Sequence, residues 1–102
     1  SWTLKNDSLF VAAEVRAAGE QVIAAQQSLI LERNNVELVR RTRDLVEKEY
    51  SAGQAPLTRL NEAQRDLITA EANLATALVN LRRSWARVET VTGTILDGAP
   101  MP

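Results

Sequence analysis

Carboxylates offer the first chemistry in this chain. Glu62, Asp66 and Glu71 follow one another along one segment, and Glu47 and Glu49 along another. Carboxylates so grouped could share a proton or hold a divalent cation if a pocket gathered them. The chain contains no histidine and no cysteine. It therefore lacks the commonest general base, the commonest metal ligand and any thiolate nucleophile. A di-metal helical bundle would need Glu-x-x-His pairs, which this sequence cannot supply. Opposite charges stand at helical spacing instead, as in Asp44 and Lys48, so the acids read as solvated helix faces. No catalytic residue, metal ligand or cofactor site is assigned, and the chain does not read as an enzyme.

Two arginine groups, Arg40, Arg41 and Arg43 and then Arg82, Arg83 and Arg87, could grip a polyanion. Acids are interleaved among them, and 12 basic residues against 13 acidic ones leave a net charge of −1. That balance gives no footprint for nucleic acid or for an anionic membrane surface. Solvation or pairing between helices is the reading adopted for both groups.

The elements that carry these side chains are long helices. Hydrophobic residues make up 45% of the 102 positions, and only Trp2, Phe10, Tyr50 and Trp85 are aromatic. Alanine and leucine supply most of the apolar content, which favours helix–helix packing over a sheet. No apolar run approaches the ~18 residues of a membrane span, and no signal segment opens the sequence. The spacing predicts a lead-in over residues 1–8, a helix over 9–52, a turn over 53–56, a second helix over 57–92 and an irregular tail over 93–102. Asp7 or Ser8 is placed to cap the first helix, and Gly93 to stop the second.

Gly53 follows a run of helix formers and can take the left-handed conformation that ends a helix, while Pro56 suits the start of the next one. A connection so short makes the flanking helices antiparallel neighbours. The predicted fold is all-α, a long antiparallel two-helix coiled-coil hairpin.

Helix 1 carries two apolar stripes. One combines Val15, Val22, Leu29, Val36 and Tyr50 with Ala18, Ala25, Val39 and Val46, interrupted by Glu32 and Arg43; the other is Ala17, Ala24, Leu31, Leu38, Leu45 and Ala52. Their centres lie about 130° apart in projection, with Gln21, Ser28, Asn35, Thr42 and Glu49 between them. Two separate stripes imply two neighbours, although one broad core-facing stripe would give a similar pattern. In helix 2, Leu60, Leu67, Leu74, Leu81 and Val88 recur every seventh residue, and Ala63, Ala70, Ala77, Ser84 and Val91 occupy the partner position. Large against small allows close approach, and the strict heptad implies a left-handed supercoil. A further stripe of Ala72, Leu78, Val79, Trp85 and Ala86 appears only in the half far from the turn, where more packing partners are expected. The tip itself reads either as a docking point or as a turn and nothing more.

The residues around the turn resemble a known family. Tyr50-Ser51-Ala52-Gly53, Leu57, Leu60, Glu62-Ala63-Gln64 and Leu67, followed by the alanine- and leucine-rich helix and Gly93, are similar to the C-terminal half-repeat of TolC-type outer-membrane efflux duct proteins over roughly residues 12–96. The resemblance implies one periplasmic hairpin of a trimeric α-barrel, part of a longer subunit of an outer-membrane channel in a Gram-negative envelope. Its implied partners are copies of itself, a periplasmic adaptor protein and an inner-membrane pump that supplies the energy. Carried over by position, Ala52, Gly53 and Gln54 fall in the adaptor-docking tip, and Tyr50, Arg59 and Glu62 at the constriction. Ala52 replaces the usual aliphatic residue, and Arg59 stands where the family has an acid. The competing reading is a hairpin of the adaptor itself, or another structural coiled coil.

Overall fold

In the computed structural model the backbone is described for residues 2–98 and the side chains for residues 9–93. Two helices make up the fold, α1 over Trp2–Ser51 and α2 over Leu57–Gly98, and there is no strand among the described residues. The all-α hairpin expected from the heptads is what forms.

Both outer ends differ from expectation. α1 is already helical at Trp2, so the proposed lead-in and the cap at Asp7 or Ser8 do not stand. Residues 2–8 contain neither glycine nor proline, and extending an existing helix gains one hydrogen bond for each residue ordered. α2 likewise passes through Gly93 as far as Gly98, and Gly93 does not have positive φ. A glycine inside a helix costs about 1 kcal/mol against alanine, too little to stop a helix that no proline interrupts before Pro100. Of the proposed tail, residues 99–102 lie outside the described residues.

The chain divides into two compact units. The first comprises residues 28–78 and contains the turn. Its seam is the heptad set: Leu29, Val36 and Val46 from α1, and Leu60, Ala63, Leu67, Ala70 and Ala77 from α2, are all buried. Val36 packs with Leu67 and Ala70, flanked by Val39 and Leu74, while Val46 packs with Leu60 and Ala63 nearer the turn. Val36 and Val46 thus each meet an alanine and a leucine of α2, the large-against-small arrangement that brings helices close. Arg40 Nη2 donates to Glu71 Oε1 across the seam at 3.5 Å. With both side chains about half exposed, that pair adds little stability.

The second unit comprises residues 1–27 and 79–102. Its buried side chains are Ala18, Val22 and Ser84. The Ser84 hydroxyl donates to the Leu81 carbonyl at 2.8 Å, so this small residue enters the seam with its polar atom satisfied by its own helix. Arg87 Nη1 donates to Gln21 Oε1 at 3.2 Å, joining the α1 and α2 segments of this unit.

The second stripes find no cover. Leu31, Leu38 and Leu45 remain 66%, 64% and 58% exposed. The stripe of helix 2 that called for extra partners behaves the same way, with Leu78, Val79 and Trp85 exposed. One seam of α1 is therefore occupied within the chain and one is open, the outcome expected of two neighbours rather than one broad core face.

Candidate functional site at the turn

The turn is built by backbone geometry around one carbonyl. α1 runs to Ser51, and Gly53 takes φ +74°, the only positive φ among the described residues. The Glu49 carbonyl accepts from Gln54 N at 2.7 Å and from Ala55 N at 3.2 Å, while Gly53 N donates to the Tyr50 carbonyl at 3.0 Å. These are the paired six-to-one and five-to-two bonds of a Schellman motif, which satisfy carbonyls that a helix end otherwise leaves open. α2 begins at once, the Pro56 carbonyl accepting from Arg59 N at 3.1 Å and Leu60 N at 3.4 Å. Proline has no N–H to leave unsatisfied at this boundary. Val46, Leu60 and Ala63 anchor the structure immediately behind the turn.

Ala52, Gly53 and Gln54 are consecutive and exposed at the apex, and Tyr50 is 40% exposed in the last turn of α1. Arg59 and Glu62 are brought together on α2, with Arg59 Nη1 lying 3.7 Å from Glu62 Oε2. Both side chains stay largely in water, so the pair is a weak, screened contact that leaves each charge available to a passing ion. A Cβ built on Gly53 would meet nothing within 4 Å. Glycine is therefore needed here for its dihedral angle and not for lack of space.

The other charged residues fall on helix surfaces. Arg41 pairs with Glu37 at 2.6 Å, and Arg43 reaches Asp44 at 2.8 Å and Glu47 at 3.9 Å. Arg43 is the more informative residue, because it occupies a seam position yet turns its guanidinium out to these acids. The seam is a wet one at that level, and the i,i+4 spacing of Arg43 and Glu47 was the sequence signal for it. No group of three or more acids able to hold a metal ion occurs among the described residues. The depression lined by Asp44, Glu47, Lys48, Ser51 and Ala52 is open to solvent and encloses nothing. Sequence reasoning did not single out Glu49 as the anchor of the turn, since its contribution is a carbonyl that any residue would have offered.

The antiparallel hairpin is closed by a Schellman turn, with one seam filled and a second apolar stripe left exposed. A family model described as outer membrane efflux protein matches residues 3–94. The chain belongs to that family, and the likeness to the TolC type read from the turn residues stands. No curated protein and no solved structure matches the chain. Its fold corresponds to the helical part of an outer-membrane efflux channel, and among the described residues no helix is long and apolar enough to cross a membrane.

Proposed function

We propose that the chain forms part of the periplasmic wall of a trimeric efflux duct and that its turn docks a periplasmic adaptor, which couples the duct to an inner-membrane pump. The supporting observation is the open seam of Leu31, Leu38 and Leu45. Covering what remains exposed of each leucine contributes about 1–2 kcal/mol, and a ring of hairpins covers them all with a single repeated contact. In this reading Ala52, Gly53 and Gln54 meet the adaptor, while Tyr50, Arg59 and Glu62 shape the entrance.

The test is Leu38→Glu in the assembled channel. Leu38 is 64% exposed in the lone hairpin, so helicity and folding of the hairpin should be unchanged. At a contact between hairpins the same carboxylate would be buried without a partner, which is strongly destabilising. Loss of trimer by crosslinking, with circular dichroism unaltered, is the expected result. A full yield of trimer would remove this stripe from the wall.

A further inference from the structure

The seam of residues 28–78 is not packed evenly. Its clustered side chains form two separate groups: Val36, Leu67 and Ala70, flanked by Val39 and Leu74, and, nearer the turn, Val46, Leu60 and Ala63. On α2 the buried positions run on without a gap through Leu60, Ala63, Leu67 and Ala70. The division is therefore made by α1, where the seam position between Val39 and Val46 is Arg43. Its side chain is 29% exposed, and its Nε donates to Asp44 Oδ1 at 2.8 Å and lies 3.9 Å from Glu47 Oε2. Both acids belong to α1, so these contacts tie Arg43 to its own helix and fasten nothing across the seam. Among the described residues of this unit, the side-chain hydrogen bond that does cross, Arg40 to Glu71 at 3.5 Å, stands on the far side of Arg43 from the turn. Glu32, the other break in the stripe, lies beyond Val36 and leaves this boundary unchanged.

We infer that Arg43 divides this hairpin into two units of stability, and that residues 44–63, closed by the turn, open and reclose while the seam from Val39 onward stays paired. This division belongs to the chain itself and holds whether or not the hairpin lines a duct. A guanidinium keeps its water, so its stem can lie along a seam while its head holds that level wet. A leucine there would bridge the two clusters and make them open together. Arg43 withholds that contact. On its turn side the helices are held by Val46, Leu60 and Ala63, while the Schellman bonds shape the turn without crossing the seam. Local opening follows such boundaries, because a segment with few buried apolar contacts of its own can release its hydrogen bonds to water before the rest unfolds. Whatever binds the turn can then order or release residues 44–63 without loosening the packing of Val36 on Leu67 and Ala70.

Amide hydrogen exchange of the full chain, measured at single-residue resolution, tests this. Amides at 46–51 and 61–63 should exchange at least about tenfold faster than those at 36–40 and 67–74, with one common rate on the turn side and a step at Arg43. A rate that rises smoothly toward the turn would mean fraying of the helix ends and would overturn the division, as would one rate throughout. Arg43→Leu should join the clusters and bring the two sets of amides to within a factor of about three. Arg41→Leu adds the same side chain at an exposed position and should leave the gap as it is. A gap that survives Arg43→Leu, or that Arg41→Leu closes equally well, would show that Arg43 is not the boundary.

Discussion

At the scale of single residues, Gly53 and Arg59 carry separable consequences. Gly53 holds φ +74° with no neighbour near its Cβ position, so Gly53→Val should cost about 1–2 kcal/mol through backbone strain alone. The seam behind it is untouched, and trimer assembly should persist. Adaptor crosslinking and export should fall, because a branched side chain would project from the apex where docking is proposed. Unchanged crosslinking and export would assign Gly53 to the turn and to nothing else. Arg59 stands beside Glu62, and Arg59→Asp replaces a positive charge with a negative one at the proposed entrance. Assembly should be intact and the preference for cations should rise; an unmoved reversal potential in single-channel recordings would place Arg59 outside the constriction. The sequence made Gly53 legible because only glycine adopts that angle freely, whereas the anchoring carbonyl of Glu49 has no side-chain signature.

At the scale of the helices, the heptad of α2 was readable because each of its positions does one job. Leu60, Leu67, Ala63, Ala70 and Ala77 all lie in the buried seam. Ala70 is 2% exposed and Ala77 5%, so Ala70→Leu or Ala77→Leu should force the helices apart at a cost of about 1–3 kcal/mol. Asn73→Ala, on the exposed face, should change stability by less than about 0.5 kcal/mol. Thermal melts of the three variants decide the register, and equal shifts would show it to be wrong. The ends of the helices were less legible. Gly93 and the Asp7-Ser8 pair have the composition of stops and caps, but local preferences of about 1 kcal/mol yield where each further residue adds a backbone hydrogen bond to an existing helix.

At the scale of the whole molecule, both compact units leave apolar side chains in water. Leu31, Leu38 and Leu45 are exposed in one, and Ile23, Val79 and Trp85 in the other. A two-helix chain has too little core to hide them and only a modest margin against chain entropy. The isolated protein should therefore be helical and should self-associate, each copy covering an open seam of another. Sedimentation across a hundredfold range of concentration tests this, and a monomer throughout would refute it. The open seam was visible in the sequence as a second stripe. Its occupant was not, since leucines at seven-residue spacing describe a contact without naming the partner, and only the family resemblance supplied one.

The empty space around Gly53 also makes the apex a place where handedness can be tested by itself. L-Alanine and D-alanine add the same methyl group, yet a positive φ suits the mirror-image residue and opposes the natural one. Chain assembly by chemical ligation could introduce either at this position. The D form should stabilise the hairpin by restricting the unfolded chain, and the L form should weaken it, for a difference of roughly 1–3 kcal/mol between two proteins of identical composition. Urea melts of the pair would measure the stereochemical cost of reversing the chain, free of any change in packing.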